Sequence, residues 1–313
     1  IFCSEDGSGT FAGTIEEQIA LLSRKWPDGK YIAYISDRTG ETEVYLQDVE
    51  KTAPVQLTKD NDTYIRSLIW SPDSKTLIYT DRQNRLVSLS IPDGAKTVLM
   101  TNPAAEFRGI TFSADSKWIT YTKPAANEMS VIYVYNLASH KEIPVTEKWY
   151  NASSPIFSKD GKYLIFNAER DFNPTYSQIE WNYAYSNMGS LYVALLSKDT
   201  PSPLLPKDGK SEDSSEKKPE AGKDAKAAPA EVVVDAEGLT ERIIKLPVGS
   251  GFFRPNYCDG KTLWFSGRGG LSTMDLSTGE TSEIGNIQMT VTGDKALISE
   301  RGMTYVAAIP KGK

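Results

Sequence analysis

The 313-residue sequence contains two cysteines and one histidine, too few for the common zinc sites. Cys3 and Cys258 form no CxxC pair and His140 stands alone, so a site of cysteine and histidine ligands is not expected. No apolar run reaches about 18 residues, the length that a membrane-spanning helix needs. We therefore predict neither a metal nor a membrane anchor. Whether the two cysteines pair is open, and two unrelated thiols are the simpler interpretation.

An excess of positive charge is also lacking. The sequence has 35 basic and 41 acidic residues and a net charge of -6. Such a balance gives no long-range attraction to phosphate backbones or anionic lipids. We expect no nucleic acid and no membrane among the partners. The compartment, cytoplasmic or periplasmic, is left open.

The residues of a hydrolase are missing too. A serine nucleophile needs a base beside it, yet His140 lies in Leu137–Glu142, a predicted hairpin tip. No Gly-x-Ser-x-Gly motif occurs. Gly267–Gly270 has no strand-to-helix context and is better explained as a turn than as a phosphate loop. The sequence thus predicts no catalytic residue, metal or cofactor in this chain.

Four similar turns recur along the sequence. They are Trp26–Lys30, Trp70–Lys75, Phe112–Lys117 and Phe157–Lys162. Their aspartates, at positions 28, 73, 115 and 160, are 45, 42 and 45 residues apart. A period in the forties is typical of propeller blades. The aspartates themselves suit a structural task, because an Asp side chain can cap the backbone of a turn.

Strand-forming residues follow each turn, and an aromatic stands six residues after each aspartate: Tyr34, Tyr79, Tyr121 and Phe166. These rings are placed to pack between neighbouring blades. Weaker copies follow Asp259 and Asp294, the last with Glu300 where an aromatic is expected. The sequence predicts an all-β fold, a β-propeller of six or seven four-stranded blades.

The repeat also suggests boundaries. Residues 26–313 form the predicted propeller, and residues 1–25 fit it poorly, so they are a candidate for a strand that closes the ring. An aromatic-rich insertion at 169–188 is predicted to be ordered. A second segment, at about 207–230, lacks large apolar residues and is predicted to be a disordered linker.

The repeated turns resemble those of TolB-like proteins. Four further segments resemble the propeller region of the tricorn-type serine peptidases. These are Ala168–Pro174, Leu191–Leu195, Asp199–Pro203 and Val234–Val248, the last with an aspartate, glycine, arginine and leucine-proline signature. The resemblance covers roughly residues 26–310. It departs from the pattern at Ser74 and Ser116, where glycine is usual.

The resemblance implies a non-catalytic module that routes or filters peptides. In that family a peptidase core with its serine and a PDZ-like module accompany the propeller, so this chain is expected to be a fragment. Its implied partners are peptides or unfolded polypeptide and those missing regions, with homo-oligomers possible for the full-length protein. The alternative is a TolB-like protein-binding module with no peptidase attached.

Two arginines are candidate substrate-binding residues. Arg66 and Arg108 precede successive inner strands, where they could line the axial mouth and attract acidic or carboxyl-terminated peptides. Ordinary salt bridging at the rim of the blades is the simpler alternative. A sialidase-like site that adds Tyr64 and Glu106 is a third interpretation.

The insertion at 169–188 is the second candidate. Its aromatic and basic side chains suit a contact with the missing catalytic region. The residues proposed for this contact are Arg170, Phe172, Tyr176 and Trp181.

Overall fold

The chain forms a series of antiparallel sheets, and in most of them one of the repeated turns joins the first two strands. A computed structural model describes residues 30–48, 50, 53–171, 174–176, 183–185, 187–204, 229–293 and 295–312, with the backbone alone at 174–176 and 183–185. The predicted ring-closing segment 1–25 lies outside these residues. So does most of the predicted linker, from 207 to 228.

Six of these sheets are blades, with strands numbered in chain order; the first described strand of blade 1 follows its repeated turn, as the second strand of the other blades does. Blade 1 contains β1 (Tyr31–Ser36), β2 (Glu43–Asp48) and β3 (Val55–Gln56). Blade 2 contains β4 (Ile65–Trp70), β5 (Thr76–Asp81), β6 (Arg85–Ser90) and β7 (Lys96–Thr101). Blade 3 contains β8 (Arg108–Phe112), β9 (Trp118–Pro124), β10 (Ser130–Asn136) and β11 (Glu142–Pro144).

Blade 4 is interrupted by the insertion. Its first two strands are β12 (Ala152–Phe157) and β13 (Tyr163–Ala168), and a separate hairpin of β14 (Pro174–Tyr176) and β15 (Tyr183–Tyr185) follows. The blade is completed by β16 (Ser190–Leu195) and, after a short 3₁₀ turn at Leu239–Glu241, by β17 (Ile243–Lys245).

Two further blades end the described chain. Blade 5 contains β18 (Arg254–Cys258), β19 (Thr262–Gly267), β20 (Gly270–Asp275) and β21 (Thr281–Gly285). Blade 6 contains β22 (Gln288–Thr292), β23 (Lys295–Glu300) and β24 (Met303–Ala308). The prediction of an all-β propeller is confirmed, with six blades in the described part of the chain.

The repeated turns hold each hairpin by the same hydrogen bonds. In blade 3, Ser113 Oγ donates to Asp115 Oδ1 at 2.6 Å, and the Lys117 amide donates to the same oxygen at 3.2 Å. Blades 2 and 4 repeat both bonds around Asp73 and Asp160. These aspartates therefore cap the turns, as the sequence predicts.

Apolar clusters fill the interfaces between successive blades, from blade 1 to blade 6. The aromatics that follow the turns in blades 2, 3 and 4 (Tyr79, Tyr121 and Phe166) are fully buried in these clusters. In blade 1, Tyr34 is only partly buried and stacks on Tyr45. The inner strands lie side by side, since β4 contacts β8, β8 contacts β12, β12 contacts β18 and β18 contacts β22.

Candidate functional site

The beginnings of the inner strands meet on one face of the propeller, because every blade repeats the same up-and-down order. We call it the mouth face. Arg66 lies on β4 and Arg108 begins β8, both beside the end of the second strand of their blade. Arg66 falls in the irregularity of β4 between Ile65 and Ser67, whereas Arg108 pairs with Thr122, so a shared role of the two arginines stays a prediction.

An arginine occupies the place of Arg108 in blade 5. Arg108 pairs with Thr122, one residue after the aromatic Tyr121, and Arg254 pairs with Ser266, one residue after Phe265. The sequence analysis missed Arg254, because the hairpin of blade 5 is two residues shorter, so that counting back from the turn aspartate gives the wrong residue. The aromatic stands six residues after the aspartate in both blades, so aligning the aromatics would not have found it either, and the strand register was needed. In blade 4 the equivalent residue is Ser153.

Glu106 joins the first two arginines. It forms an ion pair with Arg66 from the neighbouring blade, and Arg108 Nη2 lies 2.9 Å from its Oε1. The Arg108 side chain nevertheless keeps 78% of its surface exposed. The cluster therefore contains the predicted rim salt bridges and retains a net positive charge with accessible donors. Arg254 is exposed and has no ion-pair partner among the described residues, so it adds to that charge.

Exposed aromatic side chains accompany the arginines. Tyr64 is 55% exposed and lies two residues before Arg66, and Phe252 is 65% exposed and lies two residues before Arg254. Trp149, on the connection that leads to β12, is 83% exposed. Tyrosine, tryptophan and arginine are the residue types enriched at binding hot spots. The mouth face thus combines charge for carboxylates with apolar surface.

The insertion leaves blade 4 on the same face, and its base is well held. The Asp171 amide donates to the Met188 carbonyl at 2.9 Å, and the Arg268 guanidinium of blade 5 donates to Asn187 at 2.9 Å. A side chain at Gly189 would come within 2.5 Å of the Gly251 carbonyl oxygen, so glycine is required for this contact.

Arg170 lies at this base. Its guanidinium carbon is 4.7 Å from the Tyr150 ring centroid and 5.4 Å from that of Tyr192. Such cation–π contacts occupy the guanidinium within the blade. Of the other predicted contact residues, Phe172 and Trp181 lie outside the described residues, and Tyr176 lies on β14 with its side chain undescribed.

Asp171 collects three hydrogen bonds beside Arg170. Its carboxylate accepts bonds from Lys245 at 2.6 Å, Ser250 at 2.9 Å and Tyr192 at 3.1 Å. Burial alone would raise the pKa of Asp171, but these donors outweigh burial and hold the pKa below its ordinary value of 3.8. The carboxylate is therefore a charged anchor for the base of the insertion.

The Val234–Val248 signature has a structural task. Arg242 donates to four backbone carbonyls, those of Leu195, Leu196, Asp235 and Glu237, at 2.5–3.3 Å. These bonds fasten the returning segment to the edge of blade 4. Val232 adds a buried side chain and a bond from its amide to Asp115 at 2.9 Å.

The remaining chemically notable residues are placed away from the mouth. His140 lies in the turn between β10 and β11, with its Nδ1 2.9 Å from the Tyr135 hydroxyl. Cys258 is a buried free thiol, and burial raises its pKa to about 12. Cys3 lies outside the described residues. No helix in the described part of the chain is long and apolar enough to cross a membrane.

Comparisons with known proteins relate the chain to tricorn-type peptidases. Over 227 residues the chain is 23% identical to a tricorn protease homolog 1 of Streptomyces coelicolor, covering 71% of this chain and 21% of that protein. It is 31% identical over 168 residues to a Bacillus subtilis peptidase called YuxL, covering 51% of this chain and 23% of the relative. The chain thus spans about a fifth of the length of these relatives.

A solved structure and a family profile agree with this result. The crystal structure of the tricorn protease superimposes with a TM-score of 0.72 at 17% identity, over 90% of this chain and 28% of that one, which supports the fold. The profile described as the tricorn protease second β-propeller domain matches residues 21–266. Since the match includes most of the chain, the chain belongs to the family of tricorn second β-propeller domains.

Proposed function

We propose that this propeller is a non-catalytic module of a tricorn-like serine peptidase, which binds peptides at the mouth face and routes them to a catalytic region. The observation that carries the proposal is that Arg66, Arg108 and Arg254 all lie at or next to the start of an inner strand, in three different blades. Guanidinium groups bind carboxylates through paired hydrogen bonds. Tyr64 and Phe252 add exposed apolar surface for neighbouring side chains.

Peptide binding with and without a free carboxylate tests this proposal. We expect a fluorescently labelled peptide with a free C-terminal carboxylate to bind more tightly than the same peptide with a C-terminal amide, measured by anisotropy. Arg66→Glu with Arg108→Glu should remove the difference, because Glu106 would then face only negative charge. Arg254→Glu, which leaves the Glu106 cluster intact, should weaken binding without removing it.

A matched control separates the mouth from general charge. Lys75 and Lys162 are exposed in the repeated turns, on the opposite face. The double variant Lys75→Glu with Lys162→Glu changes the net charge by the same amount and should bind both peptides as the parent does. Equal affinity for carboxylate and amide peptides in the parent protein would contradict the proposal.

The base of the insertion supports a second part of the proposal, a contact with the peptidase region. Asp171 and Arg170 fix this base on the mouth face, where the chain leaves blade 4 toward the hairpin of β14 and β15. Replacing residues 173–186 by a short glycine-serine linker should weaken association with the peptidase region of the parent protein, measured by calorimetry. An unchanged dissociation constant would count against this part.

The alternative is a TolB-like protein-binding propeller without a peptidase. It shares the repeated turns and the bladed fold, so those features do not separate the two functions. The coding sequence after Lys313 does: a PDZ-like region and a serine peptidase core support the first function, and a stop codon supports the second.

A further inference from the structure

Segments outside the strands fill grooves at three interfaces between blades, and an aromatic side chain holds a carbonyl of each segment. Between blades 3 and 4, the indole N–H of Trp118 donates to the Val232 carbonyl at 3.1 Å. Between blades 5 and 6, the indole N–H of Trp264 donates to the Pro310 carbonyl at 2.6 Å. The two segments lie far apart in the sequence, yet both are held by the same kind of hydrogen bond.

A tyrosine is the donor between blades 4 and 5, where the Tyr163 hydroxyl lies 3.5 Å from the Pro201 carbonyl. Each of the three segments also places an apolar side chain against the cluster between its two blades; these side chains are Val232, Leu204 and Ile309. Two of the three bonded carbonyls belong to proline. Proline suits such a groove, because it has no backbone N–H that burial would leave unpaired.

The interface between blades 2 and 3 has a groove that no segment of the described chain fills. Its volume is about 550 Å³, and residues 97–101 of β7 form one side of it. Its apolar part consists of Leu99, Met100 and Phe107, all members of the cluster between these two blades. Its polar part comes from blade 3 and consists of Lys123, Tyr135, His140 and Glu142.

The polar part of this groove has balanced charges and keeps a hydrogen-bond donor. Lys123 Nζ lies 2.6 Å and 2.8 Å from the two carboxylate oxygens of Glu142, so their charges cancel. The Tyr135 hydroxyl and His140 Nδ1 are 2.9 Å apart. If the hydroxyl donates, the imidazole Nε2–H is left to donate elsewhere, and if Nδ1–H donates, the hydroxyl proton is left. The pair thus provides one donor in either case, as the aromatic residues of the filled grooves do.

We propose that the groove between blades 2 and 3 binds an extended, uncharged segment of another polypeptide, in which proline stands next to a large apolar residue. The apolar side chain packs on Leu99 and Met100, and a backbone carbonyl accepts a hydrogen bond from the Tyr135–His140 pair. Proline-rich segments suit grooves lined by aromatic residues, because their extended backbone is ordered before binding. The site uses no residue of the arginine cluster, so it does not depend on peptide binding at the mouth face.

A peptide copied from a filled groove tests the proposal. The probe is a fluorescein-labelled peptide of residues 200–206, Thr-Pro-Ser-Pro-Leu-Leu-Pro, with a C-terminal amide so that it offers no carboxylate to the mouth face. We expect saturable binding to the parent protein by anisotropy. A peptide with glycine for each proline and serine for each leucine should bind about tenfold more weakly, because the apolar contact is lost. Equal affinities, or no binding of the first peptide, would overturn the proposal.

Substitutions in the groove provide matched controls. Val98 is 46% exposed at the groove, and Val55 is 59% exposed on the outer strand of blade 1. Val98→Asp should weaken probe binding by about tenfold or more, because it adds an unpaired charge to the contact, whereas Val55→Asp should leave binding unchanged. Tyr135→Phe with His140→Gly removes the donor and should weaken binding by about three- to tenfold. Glycine is compatible with the positive φ of 56° at His140. Equal weakening by both valine substitutions would overturn the proposal.

Photocrosslinking locates the bound segment. A probe with p-benzoylphenylalanine in place of its first leucine should label Met100, identified by mass spectrometry. Labelling of the mouth face alone, or loss of binding in Arg66→Glu with Arg108→Glu, would overturn the proposal.

Other occupants of the groove would give different results. Concentration-dependent dimers of the parent protein that Val98→Asp abolishes would identify a second copy of the chain as the occupant. Probe binding that appears only after deletion of residues 207–228 would identify a segment of this chain. Either result would overturn the proposal.

Discussion

At the scale of single residues, arginine has two different tasks in this chain. Arg242 directs its donors at backbone carbonyls of its own blade. Arg108 and Arg254 stay exposed on the mouth face, and Arg66 shares Glu106 with Arg108. The first arrangement stabilises the fold, and the second leaves donors free for a ligand. Substitutions should separate the two tasks.

The Arg242 guanidinium should contribute strongly to stability. We expect Arg242→Ala to lower the free energy of unfolding by about 3 kcal/mol, because charged hydrogen bonds to four carbonyls are lost. Arg242→Lys should recover only part of it, since an ammonium does not reproduce the planar fork. Urea unfolding measures the change. Arg82→Ala is the control, as this exposed arginine has no side-chain partner among the described residues, and an equal effect there would contradict the assignment.

Asp171 should make stability depend on pH. Its pKa is lowered in the folded protein, so its contribution is present above the unfolded-state pKa and is lost as pH falls through the folded-state pKa, below 3.8. The difference in unfolding free energy between the parent and Asp171→Asn should be constant from about pH 7 to about pH 5 and shrink below about pH 4. The exposed Asp199→Asn serves as control, and a difference that grows on acidification would show that the sign is wrong.

At the scale of elements, the hairpin that follows each turn could be predicted from the sequence. The pattern of turn aspartate, lysine and aromatic is local, and local hydrogen bonds of Ser113 and Asp115 enforce it. The closing strand of blade 4 could not be predicted in this way. β17 returns after a long interruption and is fastened by Arg242, a contact that depends on tertiary packing.

The turns should differ in stability according to their long-range partners. Asp115 binds the Val232 amide with its second oxygen, in addition to the local bonds that it shares with Asp73. Asp115→Ala should therefore lower the free energy of unfolding by about 1–3 kcal/mol more than Asp73→Ala, because it also leaves a buried amide unpaired. Thermal or urea unfolding of both variants measures the difference. Equal losses would show that the Val232 bond contributes nothing.

At the scale of the whole molecule, the residues that lie at the mouth face depend on the register of the strands as well as on the spacing of the repeated turns. Arg66 and Arg108 could be predicted as neighbours, because each lies seven residues before the aspartate of its turn. Arg254 could not be found by that spacing, since the shorter hairpin of blade 5 shifts it by two positions. Glu106, which links two blades, was identified only within a sialidase-like interpretation, and its ion pairs required the structure.

The ends of the ring should be less stable than its centre. Leu164 is fully buried in the cluster between blades 3 and 4, and Ile298 is buried between blades 5 and 6. Each repeat is stabilised mainly by its neighbours, and blade 4 has a described blade on both sides. We expect Leu164→Ala to cost about 2–5 kcal/mol and to accelerate exchange in β10 and β16 as well as in β13. Ile298→Ala should accelerate exchange within blade 6 and leave blade 4 unchanged. Amide exchange followed by mass spectrometry measures both variants, and loss of protection in blade 4 from the Ile298 substitution would mean that the ring unfolds as one unit.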